Sequence, residues 1–251
     1  MLRLLRWLAA LAAALLAADA AWLARDWPDW SALASGPVPQ SRFIERYVEQ
    51  ARNDPQRPRL RWTPVALAAI PRHVQRAVLI AEDDRFYDHR GFDLVQIRDA
   101  LSKSLDRGEV VRGASSISQQ TAKNLFLSPA RTALRKWHEA VYTVALEIHL
   151  DKARILEIYL NIAELGEGVY GVEAAARRYF GRGAGRLSLR QAAELAASLP
   201  SPVQSNPDTR SEFFLRNAER VERRLRREFP DAAVDADAPA AGVLDALRRL
   251  F

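Results

Sequence analysis

Apolar residues recur with a helical period along most of this chain. The clearest run extends from Thr132 to Leu150, where apolar side chains lie three or four positions apart. A stripe of this kind typically faces the core of a domain. The stripe consists of Ala133, Trp137, Ala140, Val141, Val144, Ala145 and Ile148, and the opposite side carries Lys136, Glu139 and Thr143.

Shorter patterns of the same kind predict the other helices, and capping signals mark where two of them begin. Ser116 with Gln119 and Ser188 with Gln191 form capping-box patterns. Neither a strand pattern nor an internal repeat is evident, so a mainly α-helical domain is predicted. The further helices are predicted at residues 71–86, 93–105, 152–161, 188–200 and 211–229, with an Ala-rich helix that ends at Tyr179.

The N-terminus is apolar enough to suggest a membrane segment. Arg3 and Arg6 precede the apolar run, which is interrupted by Asp19 and resumes to Ala24. Basic residues on one flank are typical of the cytoplasmic end of a membrane helix. A span usually needs about 20 apolar residues, so the length is marginal. A cleaved signal peptide, with Ala18-Asp19-Ala20 as its cleavage pattern, and a soluble helix are the alternatives.

These patterns divide the chain into four parts. We predict a membrane anchor at residues 1–26, a connector with at most short elements at 27–60, a catalytic domain at 61–230 and a mobile tail at 231–251.

Charge narrows the class of partner. The net charge is +6, the isoelectric point is near 9.9, and cysteine is absent. A basic surface favours nucleic acid, anionic headgroups or phosphorylated substrates. An anchor or a signal peptide would place the domain outside the cytoplasm, which argues against nucleic acid.

A carboxylate stands near the end of the helix predicted at residues 71–86. Glu82 is followed by two further acids. Neighbouring negative charge and partial burial both raise the pKa of a carboxyl group, as a general base near neutral pH requires. The spacing equally fits a helix-end acid paired with Arg85 or Arg90.

A second polar group follows along the chain. Ser116, Gln119, Gln120 and Lys123 share one helical face, and Arg112 precedes them. The free N–H groups at a helix N-terminus favour a phosphate. An ordinary solvated helix face is the alternative.

Three weaker patterns also occur in the sequence. Lys136 and Glu139 lie on the same side of their helix, which an i,i+3 surface ion pair would explain. The glycines at 166, 168 and 171 allow a tight loop, and a dinucleotide fingerprint is disfavoured because no strand pattern precedes them. The four histidines lack metal-ligand spacing, and His89 is interpreted as a structural hydrogen-bonding residue.

Taken in order, these segments resemble the family-51 glycosyltransferases, the peptidoglycan polymerase modules also found in bifunctional penicillin-binding proteins. The resemblance covers roughly residues 60–225. Ala114 replaces a glycine of the family pattern, and Ser116 and Ser118 replace threonines. No Ser-x-x-Lys or Lys-Thr-Gly transpeptidase signature is found, so the stand-alone monofunctional form is expected. The five matching segments are Glu82-Asp83-x-x-Phe86-x-x-His89-x-Gly91, residues 113–124, Arg135-Lys136-x-x-Glu139, Ile155-Leu156-Glu157-x-Tyr159-Leu160-Asn161 with the later glycines, and residues 195–207.

The resemblance implies a fold and a reaction. The fold is a lysozyme-like, two-lobed helical domain with a single N-terminal transmembrane helix, its smaller lobe dipping into the membrane. The substrate is lipid II, a disaccharide-pentapeptide on undecaprenyl pyrophosphate. Glu82 is the general base that takes the proton from the acceptor GlcNAc 4-hydroxyl. The oxygen attacks C1 of the donor MurNAc with inversion, forms a β-1,4 bond and releases undecaprenyl pyrophosphate.

It also implies the roles of the other residues. Lys123, Arg135 and Lys136 stabilise the leaving pyrophosphate, helped by Ser116 and Gln119. Glu139 is a second catalytic residue, which orients these cations or holds a divalent metal such as Mg²⁺ or Mn²⁺; no organic cofactor is expected. The remaining expected substrate-binding residues are Asp83, Phe86, His89, Gly113, Ser115, Gln120 and Asn124.

The expected partners are lipid II, the growing lipid-linked glycan strand, the membrane and other cell-wall synthases, without nucleic acid. The expected location is the inner membrane, single-pass, with the catalytic domain in the periplasm. A lysozyme-like hydrolase or lytic transglycosylase is the enzymatic alternative, and a membrane-anchored scaffold is the non-enzymatic one. A hydrolase does not need cations for a leaving pyrophosphate.

Overall fold

The computed structural model describes residues 2–107 and 115–231, which form two compact units, residues 1–37 and 38–251. The predicted tail therefore lies almost entirely outside the described residues. The helices are α1 (Leu2–Arg25), α2 (Trp30–Ser35), α3 (Arg42–Asn53), α4 (Arg72–Glu82), α5 (Leu94–Arg107), α6 (Ile117–Phe126), α7 (Ala133–His149), α8 (Lys152–Ile162), α9 (Val172–Phe180), α10 (Leu189–Ser198) and α11 (Glu212–Glu228). The strands are β1 (Arg61–Trp62), β2 (Glu164–Gly166) and β3 (Val169–Tyr170).

The first unit consists of α1 and α2. Helix α1 is long and apolar enough to cross a membrane, a property that a signal sequence shares. It is compatible with a single-pass anchor. Asp29 caps α2 by accepting a hydrogen bond from the Ala32 N–H at 3.0 Å.

The core of the second unit is built from helices. Helix α10 packs against α4 and α11, and α6 packs against α7 and α8. Alanines of α10 such as Ala193 and Ala196 are fully buried, and their small size lets the neighbouring helices approach closely. The mainly α fold class is confirmed, and the domain is consistent with the lysozyme-like fold that the resemblance implies.

Both predicted capping boxes are confirmed. Ser116 and Gln119 exchange side-chain and backbone hydrogen bonds at the start of α6, and Ser188 and Gln191 do so at the start of α10. The helix predicted at 71–86 ends earlier, at Glu82. Asp83 leaves the helical conformation with φ −161°, and a short 3₁₀ turn follows at Phe86–Asp88.

The prediction of at most short elements at residues 27–60 is wrong, and short strands form although the sequence shows no strand pattern. This region contains α3, which is twelve residues long and whose Ile44 and Tyr47 are buried among charged neighbours. A small sheet also forms, in which β3 pairs in parallel with β1 and antiparallel with β2. Each strand has only two or three residues, too few to show an alternating pattern.

The buried side of α7 is not the side that the apolar stripe predicted. Trp137 and Ile148 are 54% and 71% exposed, whereas Glu139 and Thr143 are buried. The buried side packs towards α6. Within α7, the Thr143 hydroxyl donates to the Glu139 backbone carbonyl at 2.6 Å. Polar groups can occupy this interior because they find partners there.

A buried asparagine joins β1 to the end of α8. The Asn161 side chain accepts from the Val65 N–H at 2.8 Å and donates to the Val65 carbonyl at 2.9 Å. The indole N–H of Trp62 donates to the Asn161 carbonyl at 2.9 Å. Gly171 has φ +82°, and a Cβ there would lie 2.6 Å from that same carbonyl. Asn161 and Gly171, which belong to the fourth matching segment, therefore stabilise the fold.

Replacing this asparagine should destabilise the protein. Asn161→Ala leaves the partly buried backbone N–H and C=O groups of Val65 without their partner and removes a fully buried side chain, which should lower the free energy of unfolding by roughly 2–4 kcal/mol. Asn53→Ala, at an exposed position, should change it by less than about 0.5 kcal/mol. Urea denaturation of both variants checks this, and equal effects would contradict the role of Asn161.

Candidate active site

The predicted base lies at the end of α4 and faces α6. Gln120 donates from Nε2 to Glu82 Oε2 at 2.6 Å. The Tyr159 hydroxyl donates to the Gln120 side-chain oxygen at 3.2 Å, which fixes the amide so that its N–H groups point at the carboxylate. The Glu82 carboxylate is thus held in one orientation by a neutral donor.

The surroundings of Glu82 make it a stronger base than an exposed glutamate. Burial raises its pKa above the usual 4.5, and the charge of Asp83 adds to this. The hydrogen bond from Gln120 and the charges of Lys123 and Arg220 act in the opposite direction. Because burial is the largest effect, the carboxyl group binds a proton more tightly than usual.

The neighbouring Asp83 has a different position, with its side chain only 1% exposed. It accepts from the Ile117 N–H at 2.9 Å and from His89 Nε2 at 3.0 Å. Phe86, in the same segment, is fully buried. Asp83 therefore holds the segment against the start of α6, and Asp83 and Phe86 lie in the interior, whereas His89 is partly exposed.

Helix α6 presents two of the predicted side chains to the site and uses two for its own structure. Ser116 and Gln119 are buried in the capping box, and the Ser116 hydroxyl also donates to the Gly91 carbonyl. Gln120 and Lys123 are partly exposed on the next turn. Of the four side chains predicted to share one helical face, two therefore cap the helix and two face the site.

A second network, of hydrogen bonds and a cation–π contact, adjoins the first matching segment at Phe86. Glu147 accepts from the Ser118 hydroxyl and, at 2.7 Å, from Lys152 Nζ. The Lys152 ammonium also lies 4.2 Å from the centre of the Phe86 ring, a cation–π distance. Glu147 and Lys152 were not predicted, and only the match of the flanking segments could have drawn attention to them.

The cations of α7 are held by one buried carboxylate. Glu139 is 3% exposed, and its two oxygens accept from Arg135 Nη1 and from Lys136 Nζ. The Arg135 Nε atom is buried and has no hydrogen-bond partner among the described residues. One carboxylate thus orients two cations.

Lys123 connects Glu82 to this cluster. Burial lowers its pKa below the usual 10.5, and the charges of Arg135 and Lys136 lower it further, while Glu139 and Glu82 raise it. Its ammonium lies 5.7 Å from the centre of the Phe43 ring. The lowered pKa reflects mainly the burial of the ammonium, whose charge an anionic group beside it would stabilise.

A cleft of about 660 Å³ opens in front of Glu82. Helix α11 contributes one wall with Phe213, Asn217 and Arg220, which the sequence analysis did not identify because no motif marks them. Ser115, which was predicted, and Ser201 also line it. An aromatic ring beside hydroxyl, amide and guanidinium groups is a suitable lining for a sugar.

Two predicted residues remain, Asn124 and Gly113. Asn124 is largely buried in α6. Gly113 lies outside the described residues, as do Arg112 and Ala114.

The residues at Glu139 do not fit a divalent metal. Both of its oxygens are taken by cations, and a metal would add positive charge to a cluster already rich in it. In the described part of the chain, potential metal donors meet at Asp83, His89 and Asp93. There, both Asp83 oxygens already accept hydrogen bonds. The geometry therefore supports Glu139 as the residue that orients the cations.

Comparison with known proteins identifies the family. The transglycosylase family model matches residues 49–226. A biosynthetic peptidoglycan transglycosylase of Chromobacterium violaceum is 45% identical over 185 residues, covering 74% of this chain and 81% of the relative. One of the same name from Marinomonas sp. is 47% identical over 169 residues, covering 67% and 75%. The chain belongs to the transglycosylase family and is a peptidoglycan glycosyltransferase.

Proposed function

We propose that this enzyme polymerises lipid II, with Glu82 as the general base and inversion at the donor sugar. The observation that carries the proposal is the position of Glu82. It lines the cleft and contacts Gln120, and Lys123 lies one helical turn beyond Gln120 on α6. A proton acceptor and an anion-binding group thus lie on one surface.

In the proposed step, Glu82 takes the proton of the acceptor 4-hydroxyl as that oxygen bonds to C1 of the donor sugar. The bond from C1 to the pyrophosphate oxygen breaks, and its electron pair leaves with the undecaprenyl pyrophosphate. Lys123, Arg135 and Lys136 stabilise the developing charge. These cations cost little reorganisation during the reaction, because Glu139 already orients two of them.

The state of the second glutamate supports a single displacement. A retaining mechanism needs a second carboxylate free to attack C1, and Glu139 is engaged by two cations. The same pairing argues against a lysozyme-like hydrolase, which would require no such cation cluster. One displacement at C1 inverts its configuration.

The exposed apolar side chains of α5 and α7 support contact with a membrane, where the lipid-linked substrate resides. Leu101 and Leu105 of α5 are 60% and 76% exposed, and Trp137 and Ile148 lie exposed on α7. Exposed apolar side chains that recur along one helix, as on α5, can mark an interaction surface. Together with an apolar α1, they are compatible with an anchored enzyme whose catalytic domain is periplasmic.

Removing the proposed base should abolish polymerisation. Glu82→Gln keeps the shape of the side chain and loses the proton acceptor, so the rate should fall by at least about 10²-fold. The measurement is glycan formation from purified lipid II, with unfolding temperature as a check of the fold. Glu219→Gln, on an exposed part of α11, is the control and should polymerise normally. A folded Glu82→Gln enzyme with substantial activity would refute the assignment.

The role of Glu139 can be separated from metal binding. Glu139→Gln releases Arg135 and Lys136 from their shared carboxylate, and kcat should fall by about 10²-fold, as when a preorganised donor is lost. Titration of the variant with Mg²⁺ or Mn²⁺ should not restore the rate. Glu45→Gln, exposed on α3, is the matched control. Recovery with a divalent cation would show instead that Glu139 is a metal ligand.

A further inference from the structure

A second cavity, of about 360 Å³, lies beside the cation cluster and outside the cleft in front of Glu82. Phe43 of α3 lines this cavity and also provides the ring that lies 5.7 Å from the Lys123 ammonium. One aromatic side chain therefore separates the cavity from the proposed pyrophosphate-binding cations. The proposed reaction assigns no role to this cavity.

Two carboxylates line the cavity. Glu164 belongs to β2 and is partly buried, and Glu167 lies exposed in the turn before β3. Neither side chain accepts a hydrogen bond or forms an ion pair with another described residue. Burial, and then the charge of Glu167, raises the pKa of Glu164 to about 7. An arriving ammonium group would relieve this unfavourable charge.

Two guanidinium groups also line the cavity, and the charge of one of them, Arg57, lowers the pKa of Glu164 against the larger effect of burial. Arg57 lies over the Tyr47 ring at 5.7 Å and pairs with Asp54 at the long distance of 3.7 Å. Arg46 is exposed on α3 and has no ion-pair partner within the described residues. Both groups can bind a carboxylate through paired N–H donors.

The walls between these charges are aromatic. Tyr47 and Tyr170 are 4% exposed and pack edge to face with ring centres 5.8 Å apart. Such walls favour an aliphatic chain between two charged ends. The cavity therefore suits a group that carries an ammonium and a carboxylate.

We propose that this cavity binds the peptide stem of the donor substrate through a side chain that carries both a free ammonium and a free carboxylate. The ammonium pairs with Glu164 and Glu167, and the carboxylate pairs with Arg46 and Arg57. The inference rests on the proposed function, because the substrate there is a sugar that carries a peptide.

The reach of the substrate is compatible with this assignment. The donor sugar carries its peptide and its pyrophosphate on the same ring, so the stem begins within one sugar of Lys123. Three extended residues span about 10 Å. The side chain of a residue near the middle of the stem can therefore pass Phe43 and enter the cavity.

The test compares two lipid II substrates. One has diaminopimelate, with its free side-chain amine and carboxylate, in the stem, and the other has that amine acetylated. The wild-type enzyme should show a KM about tenfold higher for the acetylated substrate, since acetylation removes the charge that strengthens the hydrogen bonds to the two carboxylates. Glu164→Gln should raise KM for the free-amine substrate and remove most of the difference, with kcat little changed.

Glu49→Gln is the matched control, because it neutralises an exposed carboxylate on α3 that does not line the cavity. It should discriminate between the substrates as the wild type does. Equal KM values for the two substrates in the wild type, with normal polymerisation, would overturn this proposal alone. The same conclusion would follow if Glu164→Gln kept full discrimination. Absence of glycan from both substrates would overturn the proposed function as well.

Discussion

The active site depends on one buried carboxylate, that of Asp83. Its two oxygens accept from the first N–H of α6, on Ile117, and from His89. N–H groups at a helix start have no partner within the helix, so this carboxylate satisfies α6 while it ends α4. The end of α4 is thereby fixed against the start of α6, and Glu82 and Gln120 meet at 2.6 Å. Without this link the base would have no defined orientation.

Burial acts on the acidic and the basic groups of the site in opposite directions. Burial shifts the pKa of Glu82 upwards and that of Lys123 downwards, so each group is less favourably charged than it would be in water. Glu139 compensates two of the cations, and Lys123 has no direct ion pair to a described residue. The ammonium of Lys123 is therefore available to an anionic ligand, which we propose is the leaving pyrophosphate.

The sequence was sufficient for the local features and insufficient for those set by packing. Capping residues such as Ser116 and Ser188 identified helix starts correctly because their hydrogen bonds are local. The buried side of α7 was assigned wrongly, because Glu139 and Thr143 become acceptable in the interior only through their partners. The short strands and the α11 wall with Arg220 depend on contacts between distant segments, which periodicity does not report.

The central claim is that burial in the cleft makes Glu82 a base able to take a proton from a sugar hydroxyl. The most direct test is an NMR titration of ¹³C-labelled glutamate side chains in the intact enzyme, with the Glu82 signal assigned by its loss in Glu82→Gln. The account predicts a pKa for Glu82 above the usual 4.5. A pKa at or below 4.5 would contradict it, because hydrogen bonding and the nearby cations would then outweigh burial.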